Sequence, residues 1–172
     1  MLPHVEEAVA QALAALGADT TLVSGPVSLP DPEGLKTVHV QTALQMLVAC
    51  ENQLPVDVAV CAAAVADWRL AETLDQKMKK SRNQPPSLNL TENPDILATL
   101  ANRTGNKRPS LVVGFAAETE NLINNAVKKR KNKGCDWILA NDVSESTGTF
   151  GGENNLVHLI TDKGSEEWPL MS

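Results

Sequence analysis

The chain has 172 residues and a formal net charge of −6 at pH 7. A chain of this length is typical of one domain that buries its own core without help from a metal or disulfide. The acidic balance argues against general nucleic-acid binding, which requires a basic surface. No apolar run is long enough to span a membrane and no secretion signal opens the chain, so we expect a cytoplasmic protein.

Helical periodicity and short β-rich runs alternate along the first half of the chain. Apolar residues recur at helical spacing over Val5–Leu16, and Gly17 follows as a stop signal. Thr42 and Gln45 predict a capping box for a helix that ends near Cys50. Strands are predicted at Thr20–Ser24, Leu35–Val40 and Val56–Ala63, the last as a central strand buried on both faces because it is almost entirely apolar.

The second half continues the alternation. Asn93 is predicted to cap a helix with Pro94 at its first position and an end near Thr104, and Thr119 is predicted to cap another helix. Extended segments are predicted at Leu88–Leu90, Leu111–Ala116, Trp137–Ala140 and Leu156–Ile160. The pattern predicts an α/β fold with a Rossmann-like, doubly wound, mostly parallel sheet of about six strands, flanked by about four helices.

Candidate site residues follow the apolar runs, because ligands bind at the carboxyl ends of strands in open α/β sheets. Asp67, Phe115, Glu118 and the pair Asn141 and Asp142 all occupy such positions. A helix cap or a loop salt bridge is the alternative for each of them.

Two groups of lysines stand out in this acidic chain. Lys77, Lys79 and Lys80 follow Asp67 in a polar segment, where they suit either a clamp over phosphates or a solvated surface. Lys129 and Lys133 lie four residues apart near the end of a predicted helix. They share a face that could meet a phosphate chain, although cations also stabilise the end of any helix.

Several common chemistries find no support in the sequence. Cys50, Cys61 and Cys135 lack any C-x-x-C spacing and are predicted to be buried thiols in a reducing compartment, with a catalytic thiol as the alternative. The three histidines have no partner at catalytic or metal-ligand spacing, and no P-loop, H-E-x-x-H or G-x-S-x-G is present.

Five motifs carry a resemblance to a known family. They are, in order, "AAAVADWR", "KMKK", "NPDIL", "VGFAAETEN" with the lysines after it, and "ANDVS". Together they resemble the phosphopantothenoylcysteine synthetase family, the ligase half of the bifunctional coenzyme A biosynthesis proteins. The segments "GADTTLVSGPVSLP" and "NNLVHLIT" are similar to the family as well, so the resemblance covers residues 1–172 as a single domain.

The resemblance implies a ligase that uses CTP with Mg²⁺ to activate phosphopantothenate as an acyl-cytidylate, which the amine of cysteine then attacks. It implies that Asp67 holds the nucleotide, Phe115 packs near its base or ribose, and Lys77 lies over the phosphates as the catalytic lysine. The nucleotide-binding positions that it implies are Cys61, Ala62, Ala63, Asp67, Lys77, Pro94, Asp95, Ile96, Leu97, Phe115, Lys129 and Lys133. No metal ligands are assigned.

The resemblance also implies a homodimer and a flavoprotein decarboxylase half on the same or a separate chain. Family members open with a strand and a Gly-rich turn, whereas this chain opens with a helix, and a further C-terminal helix is expected beyond Ser172. Without that first strand, a neighbouring strand is expected to have an unpaired edge. The chain as it stands is therefore expected to make little phosphopantothenoylcysteine. A catalytically impaired nucleotide-binding fragment, a dinucleotide-binding oxidoreductase domain and an interaction module remain alternatives, although the dinucleotide fingerprint G-x-G-x-x-G is missing.

Overall fold

A computed structural model describes residues 5–72, 87–144 and 156–169. Within these ranges the helices are α1 Val5–Ala15, α2 Ala43–Glu51, α3 Ile96–Ala101 and α4 Leu122–Lys133. The strands are β1 Thr21–Ser24, β2 Lys36–His39, β3 Val58–Cys61, β4 Trp68–Leu70, β5 Leu90–Glu92, β6 Leu111–Glu118, β7 Trp137–Asp142, β8 Val157–Thr161 and β9 Gly164–Glu167. Among the described residues, no helix is both long and apolar enough to cross a membrane.

The main sheet has five strands in the order β3-β6-β7-β8-β9. β3, β6 and β7 run parallel, while β8 and β9 add an antiparallel edge. β1 and β2 form a separate parallel pair, and β4 and β5 form an antiparallel pair. This confirms the predicted α/β class with a mostly parallel central sheet and four helices.

The core lies where α3 and α4 pack against β6, β7 and β8. Val112, Ala126, Ile138 and Ile160 are fully shielded from solvent at its centre. α4 supplies its small residue Ala126 to this contact and ends at Gly134, whose left-handed φ of 72° suits glycine. The helix therefore holds its last two turns, with Lys129 and Lys133, at a fixed place beside the sheet.

The predicted strand Val56–Ala63 is shorter and less buried than expected. β3 covers only Val58–Cys61 and, in the part of the chain that the structure describes, pairs with β6 alone at the edge of the five-stranded sheet. Val58 is 43% exposed, so the prediction of a central strand buried on both faces is wrong. An apolar run reports the hydrophobicity of a strand but not which neighbours cover it.

Two helix starts also differ from the sequence prediction. Asp95, and not Asn93, caps α3, and its carboxylate Oδ1 accepts from the backbone N–H of Ala98 at 2.9 Å. α4 begins after Asn121, which has a positive φ and no side-chain cap, so Thr119 is not the cap. The capping box of Thr42 and Gln45 at α2 is confirmed.

Candidate functional site

A large cavity of about 980 Å³ opens beside β3 and reaches the space between β3 and β1. Within the described ranges, β1 pairs only with β2 and β3 pairs only with β6, so the strand edges that face this space have no ladder partner there. The cavity also reaches the loop after β3, the start of α3 and the last turns of α4. Three stretches distant in sequence thus meet around one space.

The residues that the resemblance assigns to nucleotide binding meet in this cavity. Every one of them that the structure describes is part of its lining: Cys61, Ala62, Ala63, Asp67, Pro94, Asp95, Ile96, Leu97, Phe115, Lys129 and Lys133. Lys77, like Lys79 and Lys80, lies outside the described residues. The other strand-end candidates, Glu118, Asn141 and Asp142, do not line this cavity.

The apolar floor of the site is built by close packing of α3 on β6. Cys61 lies in register with Gly114, which in turn lies in register with Ile138. A Cβ at Gly114 would lie only 2.5 Å from Cδ2 of Leu97 and 2.9 Å from Cδ1 of Ile138. Glycine at this position therefore lets α3 approach the sheet and places Leu97 at the cavity wall.

Lys133 and Asp95 form the main charged contact within the described part of the cavity. The Lys133 ammonium donates a hydrogen bond to the Asp95 carboxylate, which also caps α3. Burial acts to raise the pKa of Asp95, but the hydrogen bonds from Lys133 and Ala98 and the charges of Lys133 and Lys129 lower it on balance. Asp95 is therefore a carboxylate at neutral pH and fixes the position of a lysine ammonium.

Asp67 is held through its backbone and has an exposed side chain. Its carbonyl oxygen accepts from the N–H of Asn93 at 2.7 Å. Among the described residues, no hydrogen bond or ion pair engages its carboxylate. Asp67 thus presents an exposed side chain at the cavity wall.

The thiols around the site are poorly suited to nucleophilic chemistry. Burial, reinforced by the nearby Cys50, Cys135 and Asp95, raises the pKa of Cys61 to about 12. Burial also raises the pKa of Cys50 and, as the largest of several influences, that of Cys135. Thiols nucleophilic at neutral pH have lowered pKa values, so these groups act as apolar wall and core atoms.

No metal-binding cluster of three or more His, Cys, Asp or Glu residues occurs in the described ranges. Outside the cavity, hydrogen bonds from the backbone N–H and the side chain of Ser144 lower the pKa of Asp142. This carboxylate thus has a local structural role at the end of β7.

Sequence reasoning missed the bonding role of Asn93. It also lines the cavity and joins the chain before α3 to the loop after β3. The sequence did contain a signal, because Asn93 and Asp95 are both residue types that cap helices. If Asp95 caps α3, the side chain of Asn93 is left to bond elsewhere.

Comparison with known proteins identifies the family. Residues 6–172 match the profile of the DNA/pantothenate metabolism flavoprotein C-terminal domain. The chain belongs to this family. The resemblance drawn from the sequence motifs is thereby confirmed.

Relatives of this domain in several bacteria share one name. The chain is 45% identical over 166 residues to the coenzyme A biosynthesis bifunctional protein CoaBC of Escherichia coli strain K12, with 95% of this chain and 40% of that protein covered. It is 42% identical over 167 residues to CoaBC of Vibrio cholerae, with 96% and 41% covered. The chain therefore spans about 40% of the length of these relatives.

Solved structures show the same fold. A crystal structure of the C-terminal domain of CoaBC superimposes with a TM-score of 0.74 at 34% identity, covering 96% of this chain and 72% of that one. The DNA/pantothenate metabolism flavoprotein from Streptococcus pneumoniae gives a TM-score of 0.74 at 16% identity, covering 93% of this chain and 78% of that one. At that identity the second likeness concerns the fold alone.

Proposed function

We propose that this domain acts in coenzyme A biosynthesis as a phosphopantothenate–cysteine ligase that uses CTP. One observation supports this most strongly. The described residues that the sequence resemblance assigns to the nucleotide, drawn from four separate parts of the chain, line one cavity. The names of the relatives, which are coenzyme A biosynthesis bifunctional proteins, agree with the proposed pathway.

The proposed reaction has two steps. In the first, a carboxylate oxygen of phosphopantothenate attacks the α-phosphorus of CTP, and the bond to pyrophosphate breaks. In the second, the amine of cysteine attacks the acyl carbon, loses a proton and expels CMP, which leaves an amide. Both steps move negative charge onto phosphate oxygens, so cations near the phosphates lower the barriers.

The cavity offers suitable groups for each part of the nucleotide. Ala62 and Ala63 carry small side chains that let a flat pyrimidine lie against the backbone after β3. Phe115 is half-buried on β6 and would pack against the base or ribose. The exposed carboxylate of Asp67 would accept hydrogen bonds from ribose hydroxyls or the base.

Lys129 and Lys133 would hold the triphosphate. They lie one turn apart on α4 and both line the cavity. Lys133 already bonds to Asp95, which orients its ammonium before any ligand arrives. We propose the same role for Lys77, which lies outside the described residues.

Mg²⁺ fits this site as a partner of the nucleotide. Mg²⁺ is commonly held by one or two carboxylates together with substrate phosphates, so it requires no complete protein cage. The carboxylate of Asp67 would supply a hard oxygen donor at the cavity wall. The ion would neutralise charge on the departing pyrophosphate.

We also propose that the domain forms a homodimer through the β4–β5 pair. The large apolar side chains Trp68, Leu70, Leu88 and Leu90 on or beside these strands are 43% to 57% exposed. Leu70 and Leu90 lie opposite each other in the register. Grouped exposed apolar side chains of this kind mark protein interfaces.

We further propose that a flavoprotein decarboxylase half, on this or another chain, accompanies the domain. The proposed location of the reaction is the cytoplasm.

Ligand-dependent melting tests the nucleotide assignment. The melting temperature should rise with CTP and Mg²⁺, and it should rise less with ATP or NAD, because a site shaped to a pyrimidine edge leaves polar groups unpaired against other bases. A ligand at 100 times its dissociation constant adds about 2.7 kcal/mol of apparent stability. Equal shifts with CTP and ATP would contradict the proposal, and a shift with NAD alone would favour an oxidoreductase domain.

A further inference from the structure

Asn93 occupies the short connection between β5 and α3 and bonds away from its own helix. Its side-chain Nδ2 donates to the carbonyl oxygen of Ala66 at 2.8 Å. Its backbone N–H donates to the carbonyl oxygen of Asp67 at 2.7 Å. Both acceptors belong to the loop after β3, which carries Asp67 along the cavity wall.

A third contact fixes the orientation of the Asn93 amide. The guanidinium of Arg69 lies 3.4 Å from Oδ1 of Asn93 and also donates to the carbonyl oxygen of Glu92. Oδ1 therefore faces a donor while Nδ2 faces an acceptor. Aspartate has the same shape, but its second oxygen would face the Ala66 carbonyl and would repel it.

The same residue is covalently continuous with the opposite wall of the cavity. Pro94 and Asp95 follow it directly, and Asp95 both caps α3 and bonds to Lys133. Asn93 thus joins two groups of cavity residues. One group is the Ala66–Asp67 loop, and the other is the start of α3 with its attached lysine.

We propose that Asn93 is a positioning residue for nucleotide binding, which sets the distance between Asp67 and the start of α3. The inference rests on the proposed function and adds a residue to which the motif resemblance gives no role. Asn93 acts through Asp67, so its contribution to the affinity for the nucleotide depends on the presence of the Asp67 carboxylate.

A double-mutant cycle tests this dependence. Asn93→Asp should weaken binding of CTP with Mg²⁺ by about tenfold, because the hydrogen bond to Ala66 is lost and a repulsion replaces it. In an Asp67→Ala background the same change should have little further effect. Full additivity of the two changes would overturn the proposal. Asn93→Ala, which removes both amide contacts without adding charge, should repeat the result and serves as a second variant if Asn93→Asp folds poorly.

Gln45→Ala is the matched structural control. Gln45 also uses its side chain to bond two backbone groups, the N–H groups of Gln41 and Thr42, but it does not line the cavity. Its loss should lower the melting temperature and leave the dissociation constant for CTP unchanged. If Gln45→Ala weakens CTP binding as much as Asn93→Asp does, general destabilisation explains both and the proposal is wrong.

Amide hydrogen exchange without ligand tests the positioning role of Asn93 separately from the proposed function. Asn93→Asp should speed exchange at Asp67–Leu70 but not in α2, whereas Gln45→Ala should do the reverse. Unchanged exchange at Asp67–Leu70, or faster exchange with unchanged CTP affinity, would overturn the positioning role alone. Failure of the unmodified chain to bind CTP would overturn the proposed function and the positioning role together.

Discussion

The Lys133 ammonium on α4 bonds to the Asp95 carboxylate that caps α3, joining two residues that are 38 positions apart. Asp95 therefore makes two contacts, since Oδ1 accepts from the helix backbone and Oδ2 accepts from the lysine. Substitutions can separate the effects of these two contacts on stability. Asparagine keeps a capping oxygen but loses the charge, whereas alanine loses both.

We predict that Asp95→Asn destabilises the fold less than Asp95→Ala at pH 7, by about 1 kcal/mol, the usual value of a helix cap. The measurement is urea denaturation of both variants beside the unmodified chain. Equal destabilisation by the two substitutions would show that the cap contributes nothing.

The pH dependence of the same pair follows from the lowered pKa of Asp95. A carboxyl whose pKa is lower in the folded state stabilises the fold above its unfolded pKa of about 3.9, and this stabilisation is lost as pH falls through the folded value. The difference in unfolding free energy between the unmodified chain and Asp95→Asn should therefore be constant from about pH 5 to 7. It should shrink below about pH 4, where the Asp95 carboxylate takes up a proton. A difference that grows on acidification would contradict the assignment.

We predict that Lys129→Ala and Lys133→Ala each weaken CTP binding by about tenfold or more, since a charge-assisted hydrogen bond contributes about 1.5 to 3 kcal/mol. Lys128→Ala is the control, because Lys128 lies on the same helix but outside the cavity lining. Added salt should reduce the effects of Lys129→Ala and Lys133→Ala. Lys77→Ala should weaken binding most while changing the melting temperature of the free chain least. Equal losses at Lys128 and Lys133 would indicate a general charge effect.

Gly114→Ala should destabilise the fold by about 1 to 3 kcal/mol, the usual cost of overpacking a core. The added methyl group would meet Leu97 and Ile138, which are 8% and 0% exposed and have little room to move. Gly25→Ala is the control, because its nearest neighbour would be Cε of Met46 at 3.8 Å. Calorimetric unfolding compares the two, and a Gly114→Ala variant as stable as Gly25→Ala would contradict the packing described.

Leu90→Asp should dissociate the proposed homodimer, because it places charge in the centre of the exposed apolar surface of β4 and β5. Val27→Asp is the control, since Val27 is 53% exposed elsewhere in the chain. Analytical ultracentrifugation measures the result. A dimer that survives Leu90→Asp, or an unmodified chain that is monomeric at all concentrations, would exclude this interface.

The sequence predicted local structure well where the signal was itself local. The capping box of Thr42 and Gln45 bonds as predicted because both partners lie within one turn of chain. The pairing of strands that are distant in sequence was harder to predict. The exposure of Val58 depends on which strand lies beside β3. Strand β9 was missed because its residues, Gly164–Glu167, are polar and exposed. Neither neighbour pairing nor an edge hairpin leaves a periodic apolar pattern.

The site shows the same division. Strand-end reasoning selected Asp67 and Phe115, which line the cavity, but it also selected Glu118, Asn141 and Asp142, which do not. It could not place Asp95 beside Lys133, since no local pattern joins residues so far apart, and those positions came from the family resemblance. It also gave Asn93 a cap, because propensity at a helix start ignores a carbonyl oxygen 27 residues away.

Titration of the isotope-labelled chain with CTP and Mg²⁺, followed by amide NMR signals, tests the central claim most directly. We predict saturable shifts at Ala62, Ala63, Ile96 and Leu97, with smaller shifts from ATP at equal concentration, because these residues line the cavity. Signals from β8 and β9, which lie at the far edge of the sheet, should not move. Absence of shifts around the cavity, or shifts confined to other parts of the chain, would contradict the account.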